Sequence, residues 1–293
     1  MGWRSLLISQ AVRLSVKNNQ LLLERSQEEP VLLPIEDISV LVLETPQALV
    51  TSALLSKLCA SDIACITCDE SHLPNGVLLP FMQHSRTLKV MEAQLAMTQP
   101  QKKRAWQAIV QQKLVNQAAC LTQCRKEGEN KLTALSKQVK SGDPDNREAV
   151  GARMYFLRLY GNEFTRSKDT VINAALNYGY AIFRAAMARS LAYHGFLPAF
   201  GLQHSNQLNS FNLADDLLEA FRPIVDRFVF YMDATEKTEL TTAMKAELVR
   251  LLHSDVGTPG GIMSVLSAID QTVASLGRFA QSGDTRDLEL PLL

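Results

Sequence analysis

An imidazole and three carboxylates lie close together in the sequence between residues 204 and 219. His204 precedes an apolar segment with helical spacing that contains Asp215, Asp216 and Glu219. Asp216 and Glu219 are three residues apart, so a helix presents them on one face. Hard cations prefer oxygen ligands, and Mn²⁺ also accepts an imidazole. The stretch therefore predicts either a polar helix start or part of a site for Mg²⁺ or Mn²⁺.

The two interpretations assign these acids differently. Asn212 is a good helix N-cap, and Asp215 three residues later completes something close to a capping box, so Asp215 is predicted to be structural. Asp216 and Glu219 are predicted to lie at the edge between the buried and solvated faces, with Arg222 as a local partner for Glu219. Spacing alone leaves an ordinary acidic first turn and a metal role both open.

A further acidic candidate is Glu148, in the first turn of a second predicted helix. A carboxylate is favourable there for dipole reasons alone. Arg147, Arg153 and Arg158 surround it with groups that suit phosphate. Gly151, one turn later, lacks side-chain bulk and suits the close approach of a ligand backbone. Carboxylates and a histidine beside such a basic surface suit metal-assisted phosphodiester chemistry.

The cysteines favour reduced thiols over a metal site or disulfides. Cys65 and Cys68 form a C-x-x-C pair within a predicted strand, and Cys120 and Cys124 follow about fifty residues later. That spacing matches no common zinc module. Five cysteines in a long chain without a secretory signal fit buried thiols.

Composition indicates an ordinary globular protein of one to two domains: 293 residues, 46% hydrophobic and 20% charged. No apolar run approaches the roughly 18 residues that span a bilayer, and the N-terminal stretch does not resemble a signal peptide. We therefore expect a cytoplasmic protein without a membrane association. The net charge is zero, but residues 100–169 carry +7 between flanks of −3 and −4. This basic middle is compatible either with a phosphate-binding surface or with solvated helix faces.

The chain is predicted to be an α+β protein, with a small N-terminal β-rich domain followed by a larger all-α catalytic domain. Short β-branched and leucine-rich runs predict strands within residues 1–80, interrupted by one helix over residues 46–58. The proline- and glycine-containing stretch at 71–80 is predicted to be a turn or linker, and residues 81–98 are predicted to be a linker. Long helical patterns then fill residues 99–293, including a strongly apolar one that ends before Gly195.

Three motifs in the helical part are together highly specific. They are an N-x-x-L-N-Y-G-Y helix, a G-L-x-H loop and a D-L-x-E-x-F-R-P helix, preceded by DNREAVGARMYF. On these motifs the chain resembles the CRISPR-associated integrase, the endonuclease that captures spacers in CRISPR adaptation. The MGWRSLLI start, LPIEDISVLVLE and NLADDLLEAFRP make it most similar to the version from type II systems. The similarity covers nearly the whole chain.

The resemblance implies a metal-dependent DNA integrase that uses Mg²⁺ or Mn²⁺. The family's catalytic, metal-binding positions fall on Glu148, His204 and Glu219, and Asp216 matches a further acidic position. The reaction implied is insertion of protospacer DNA into a CRISPR array by attack of a 3′-hydroxyl on a phosphodiester. The implied partners are double-stranded DNA, a second copy of the chain through the β domain, and a small ferredoxin-like protein in a heterohexamer. In type II systems the RNA-guided effector nuclease joins them.

Two other functions remain open from the sequence. One is a different metal-dependent nuclease or phosphohydrolase that uses water as the nucleophile. The other is a non-catalytic helical scaffold, in which Glu148 and Glu219 are merely acids at helix starts. The zero net charge is unusual for the family, because a protein that binds DNA strongly is expected to be basic. Basic residues at 102–104, 125–126, 137, 140, 147, 166 and 168 are candidate phosphate contacts.

Overall fold

A computed structural model describes residues 2–80, 86–232 and 239–293. Its N-terminal part is β-rich, as predicted. The strands there are β1 Arg4–Ile8, β2 Val12–Lys17, β3 Gln20–Glu24, β4 Val31–Pro34, β5 Ile38–Leu43, β6 Ala48–Val50, β7 Ala64–Cys68 and β8 Pro74–Leu78. One helix, α1 Ser52–Ala60, lies between β6 and β7.

These strands form two four-stranded sheets. In the first sheet the order is β1-β5-β7-β8; β1, β5 and β7 are parallel and β8 is antiparallel to β7. In the second sheet the order is β4-β3-β2-β6. The prediction of a turn or linker at 71–80 is wrong for Pro74–Leu78, because this segment is strand β8 and pairs with β7. Gly76 permits that pairing, since a Cβ there would meet Oγ1 of Thr67 at 2.4 Å.

The helix predicted over residues 46–58 begins later than expected. Ala48–Val50 is instead strand β6, which pairs in parallel with Val12 to Leu14 of β2. The helix starts only after Thr51, whose hydroxyl accepts a hydrogen bond from the backbone N–H of Leu54. Helical spacing of apolar residues misled the prediction, because Leu49 is 68% exposed on an edge strand.

The remainder of the described chain is mostly helical, which confirms the α+β class. Its helices are α2 Thr87–Ala96, α3 Gln99–Gln123, α4 Glu129–Ser136, α5 Arg147–Tyr160, α6 Val171–Tyr193, α7 Asn212–Leu218, α8 Arg222–Tyr231, α9 Thr242–Arg250 and α10 Val265–Ser282. The expectation of an all-α domain missed one hairpin, formed by β9 Asp255–Thr258 and β10 Gly261–Ser264. Gly261 turns this hairpin at φ 121°, a backbone conformation that favours glycine.

The first sheet is buried on both faces. One face packs on the second sheet and the other on the helices, so the first sheet joins the two parts of the chain. Leu41 and Cys65 pack between the sheets, whereas Val42 and Ile66 belong to the larger core formed with the helices. This alternation follows from the two-residue period of a strand. The central helix α6 contacts α7, α8, α9, α10, β7 and β8.

The predicted linker, residues 81–98, contains helix α2, and residues 81–85 lie outside the described ranges. The boundaries at 80 and 99 stay a prediction. No disulfide joins the described cysteines, and Cys65, Cys120 and Cys124 are buried. Among the described residues, no helix combines the length and apolar character needed to cross a membrane.

Candidate active site

Two of the predicted metal-binding carboxylates meet at one buried ammonium group. Nζ of Lys113, in the middle of α3, donates hydrogen bonds to Oε1 of Glu148 and to Oε2 of Glu219. The Lys113 side chain is only 6% exposed. Burial alone lowers the pKa of Lys113, but the charges of Glu219 and Glu148 raise it above the usual value. The three side chains form a buried, ion-paired cluster.

Glu148 reaches this cluster because α5 starts in a fixed position against α3. The Asp143 carboxylate accepts hydrogen bonds from the backbone N–H groups of Arg147 and Glu148, at 2.8 and 2.9 Å, and so caps the helix start. A Cβ on Gly151 would lie 2.1 Å from Cδ2 of Leu114. Gly151 therefore makes room for α3, and the prediction that it makes room for a ligand is wrong.

Glu219 lies at the junction between α7 and α8. Nε of Arg222 donates to its Oε1 at 2.8 Å, and the Asn116 side chain of α3 donates to the Ala220 carbonyl at 2.8 Å, which anchors the junction. The predicted position at the edge of a helix is wrong, because Glu219 is buried. Burial alone raises the pKa of Glu219, but the charges of Lys113 and Arg222 hold it at about 2. The group is therefore a carboxylate at neutral pH.

His204 is held by Asp216, which is fully buried and not at the edge of its helix as predicted. The Asp216 carboxylate accepts from the backbone N–H groups of Leu202, Gln203 and His204, at 2.6, 3.1 and 3.1 Å. Nδ1 of His204 lies 2.7 Å from Oδ1 of the same carboxylate. Because a carboxylate only accepts, Nδ1 carries the proton, and in the neutral ring Nε2 keeps its lone pair. The Trp106 ring meets the imidazole edge-on at 5.7 Å.

The structure thus brings Glu148 and Glu219 together and holds His204 on a neighbouring loop. The hydrogen bond with Asp216 raises the pKa of His204, partial burial opposes this, and the charges of Asp216 and Glu219 add to the rise. Within the described ranges, no three histidine, cysteine, aspartate or glutamate side chains are arranged as a metal-binding group. Lys113 lies between the two glutamates. The predicted three-residue metal site stays a prediction.

The predicted capping role of Asp215 is wrong. Asn212 is the first residue of α7 and not its cap, and its side-chain amide donates to the carbonyls of Ala199, Asn206 and Asn209. Asp215 instead pairs with Arg184 of α6, with 2.5 Å between Oδ1 and Nε. Asp215 pairs with Arg184 instead of capping its own helix, because the guanidinium offers a charge-assisted hydrogen bond that a backbone N–H does not.

A cavity of about 200 Å³ lies over the paired glutamates. Asp226 lines it and is 1% exposed, and the hydroxyl of Tyr180 donates to its carboxylate. Burial raises the pKa of Asp226 to about 6. The residues lining the cavity are Lys113, Gln117, Glu148, Ala152, Phe156, Arg166, Tyr180, Glu219, Arg222 and Asp226. The cavity therefore combines three basic and three acidic side chains.

Sequence reasoning missed Lys113 and Asp226. A signal for Lys113 was present: it follows Ile109 and Val110 by four and three residues and precedes Gln117 by four, on the buried face of α3. A lysine on an apolar helix face needs acidic partners when it is buried. The sequence alone indicates that need but does not say which acids meet it.

A β-rich start, a mostly helical remainder and a cavity of mixed charge agree with the class of CRISPR-associated proteins, to which sequence similarity assigns the chain. The model of the family described as CRISPR associated protein Cas1 matches residues 6–152 and 163–254, and the chain belongs to this family. The CRISPR-associated endonuclease Cas1 of Neisseria meningitidis serogroup C (strain 8013) is 42% identical over 99% of this chain and 96% of that protein. The resemblance stated from the motifs is confirmed.

Solved structures share the fold at low sequence identity. A casposase bound to integration product matches with a TM-score of 0.78 and 18% identity, over 96% of this chain and 91% of that one. A chain of a Cas6-RT-Cas1–Cas2 complex matches with a TM-score of 0.72 and 16% identity, over 97% of this chain and 36% of that one.

Proposed function

We propose that this chain is a metal-dependent DNA integrase that inserts protospacer DNA into a CRISPR array. The observation that carries the proposal is the convergence of Glu148 and Glu219 on one cationic group in a cavity. His204 is held by Asp216 on the loop before α7, close enough for the charge of Glu219 to raise its pKa. In the proposed reaction a DNA 3′-hydroxyl attacks a phosphodiester at the edge of a repeat. One P–O bond forms and one breaks, and the proton lost by the attacking hydroxyl is balanced by one gained by the leaving oxygen.

The donor set fits Mg²⁺ or Mn²⁺. Two carboxylates already share one buried cation, Lys113, and the hydrogen bond at Nδ1 leaves Nε2 of His204 as the nitrogen able to coordinate. We propose that Glu148, His204 and Glu219 hold the ion. When bound, such an ion supplies charge neutralisation at the phosphoryl oxygens and acidifies a bound hydroxyl.

Asp216, outside the cavity, and Arg166, which lines it, position the ligands and the substrate. Asp216 fixes the loop and the tautomer of His204. The guanidinium of Arg166 is held by the side-chain oxygens of Asn173 and Asn177, at 2.7 and 2.6 Å. A guanidinium oriented in this way suits a phosphate oxygen of the DNA.

The relatives support DNA and a second protein as partners. The casposase with the same fold is described as bound to an integration product, and another structure is a Cas1–Cas2 complex. We propose that this chain binds double-stranded DNA, forms a homodimer through its β-rich part, and joins a small ferredoxin-like partner in a heterohexamer. In a type II system the RNA-guided effector nuclease is a further partner.

Strand transfer of a labelled oligonucleotide into a repeat-bearing plasmid, with the small partner and Mn²⁺, tests the proposal. We expect Glu148→Gln to lower strand transfer by about a thousandfold or more, because it removes one ligand charge but little volume. Glu148 is the cleanest position, since its side chain is 26% exposed and its replacement disturbs the fold less than that of Glu219. Double variants with His204→Ala should lose little more than the single variants.

The same assay separates an integrase from a nuclease that uses water. An integrase joins the oligonucleotide to the plasmid and reverses the reaction on a branched product. Cleavage of the plasmid without joining, again lost in Glu148→Gln, would replace the integrase proposal by hydrolysis. Activity that is unchanged in Glu148→Gln would remove this cavity from the reaction.

A further inference from the structure

Lys113 is an unusual residue for the interior of a helix bundle. It is 5% exposed, and its one ammonium group is shared by Glu148 and Glu219. Taking an ammonium out of water is costly unless it is paired, so a buried lysine needs a specific partner. Here it has two, and both are the carboxylates proposed to bind metal.

A purely structural buried lysine is present elsewhere in the chain. Lys245 of α9 is 8% exposed and pairs with Glu44, which follows β5 and is 3% exposed. That pair joins α9 to the first sheet, and neither residue lines the cavity. Lys113 differs because one of its partners, Glu219, is also neutralised by Arg222. Lys113 thus bridges two carboxylates, one of which already has a second cationic partner.

The charges of this group balance without any ion. Lys113 and Arg222 carry two positive charges, and Glu148 and Glu219 carry two negative ones. A divalent ion seated between the same carboxylates would lie against the Lys113 ammonium, and two like charges at contact distance in a buried site repel strongly. The ion and the ammonium therefore compete for the same oxygens.

We propose that Lys113 is a positioning residue that stands in for the divalent cation, holding Glu148 and Glu219 together until the metal displaces its ammonium from them. This inference rests on the proposed function. Metal binding is then an exchange of two cations, in which the divalent ion replaces the Lys113 ammonium between two carboxylates that are already in place. Removing the ammonium should therefore weaken the metal-free protein and strengthen its binding of metal.

The test compares Lys113→Met with Lys245→Met, two substitutions that each remove one buried ammonium. Thermal unfolding of the full chain is measured with a chelator and with Mn²⁺, and Mn²⁺ affinity is measured by calorimetry. Both variants should unfold at lower temperature than the wild type in chelator. Mn²⁺ should restore the unfolding temperature of Lys113→Met but not that of Lys245→Met. Mn²⁺ should also bind Lys113→Met at least about tenfold more tightly than the wild type.

Lys113→Arg keeps the charge and should bind Mn²⁺ with nearly wild-type affinity. If Lys113→Met is unfolded in chelator, circular dichroism during a Mn²⁺ titration replaces the melting experiment. Recovery of helicity supports the proposal, and its absence overturns it. Equal or weaker Mn²⁺ binding by Lys113→Met also overturns it. If the wild type itself binds no Mn²⁺ and Glu148→Gln behaves identically, the proposed function fails instead.

Discussion

The carboxylate of the fully buried Asp216 lies 2.7 Å from Nδ1 of the half-exposed His204 and also accepts three backbone N–H groups of the loop that carries this histidine. One buried acid therefore determines both the path of the loop and the tautomer of the ring. We therefore expect Asp216 to act through His204 and not as a separate metal ligand. This relationship gives the two residues different roles in stability although both should be needed for activity.

We expect Asp216→Ala to lower the free energy of unfolding by roughly 3–5 kcal/mol, because it leaves several buried donors without an acceptor. His204→Ala should cost less than about 1 kcal/mol, since 45% of its side chain is exposed. Urea unfolding of the metal-free protein measures both, and strand transfer should be lost in both. An equally large destabilisation by His204→Ala would show that the imidazole is mainly structural.

Metal binding should depend on pH through His204. The hydrogen bond with Asp216 raises the pKa of His204 above the usual 6.5, so the protonated ring persists to higher pH than in an ordinary histidine. A metal ligand must be neutral. Mn²⁺ affinity should therefore fall as the pH drops, starting above pH 6.5, and strand transfer at limiting Mn²⁺ should fall with it.

The stability of the metal-free protein should change in the opposite direction. A histidine whose folded pKa is raised contributes stability at low pH that is lost as the pH rises through the folded value. Calorimetry with Mn²⁺ between pH 5.5 and 8 and unfolding in chelator separate the two effects. An acid loss of activity that is the same at limiting and saturating Mn²⁺ would exclude proton competition at His204.

The start of α5 could be predicted from sequence, and the cluster it serves could not. Turn chemistry near Asp143, an acid in the first turn and a stop at Gly161 are all local signals, and the structure has α5 at Arg147–Tyr160. The ion pairs of Lys113 join residues 35 and 106 positions apart. No local pattern specifies such a partner, because it depends on how α3 packs against two other helices. The family motifs named Glu148 and Glu219 but not the lysine between them.

The capping error at Asp215 has the same cause. A carboxylate three residues into a helix is usually satisfied locally, and the sequence gives no reason to look further. In the folded chain Arg184 of α6 is available, and Asp215 pairs with it across two helices. Strand β8 was missed for a related reason, since Pro74 and Gly76 are turn residues whose strand conformation depends on distant partners, pairing with β7 and packing against α6.

Asp226 should make stability depend on pH in the direction opposite to an ordinary salt-bridged acid. Burial raises its pKa from 3.8 to about 6. A carboxyl with a raised folded pKa contributes stability below its unfolded value that is lost as the pH rises through the folded one. Asp226→Asn keeps an acceptor for the hydroxyl of Tyr180 and removes the buried charge. At pH 7.5 it should therefore stabilise the metal-free protein by up to about 3 kcal/mol.

This gain should shrink as the pH falls through 6 and be mostly lost near pH 4, where the folded carboxyl is protonated and the unfolded carboxyl is partly protonated. Chemical unfolding in chelator at pH 4, 5.5 and 7.5 measures it. Tyr180→Phe provides the control, because it removes the hydroxyl that donates to Asp226 and should destabilise the protein most at high pH. A variant Asp226→Asn that is less stable than the wild type at every pH would mean that the attraction of the Asp226 charge to Arg222 and Lys113 outweighs the cost of burying it.

The basic segment at 100–169 is less uniform in the structure than in the sequence. Lys140 and Arg147 both face Asp145, at 3.0 and 3.9 Å, so an acid offsets part of their charge. Lys103 and Arg104 are exposed at the start of α3 and have no such carboxylate among their described contacts; Arg104 donates to a backbone carbonyl. We therefore expect Lys103→Ala with Arg104→Ala to weaken DNA binding more than Lys140→Ala with Arg147→Ala.

The measurement is the affinity for unrelated duplexes over a range of salt concentrations. Each phosphate contact that is lost should flatten the slope of log K against log salt by about one unit. Lys17→Ala with Arg13→Ala removes the same charge from the β-rich part and should leave the slope unchanged, because these residues lie on strand β2, outside the helical part. If the Lys17/Arg13 and Lys103/Arg104 double substitutions weaken DNA binding equally, the overall charge of the protein, and not the face at the start of α3, attracts DNA. A changed preference among sequences with an unaltered slope would indicate that these side chains read bases, because phosphate contacts carry no sequence information.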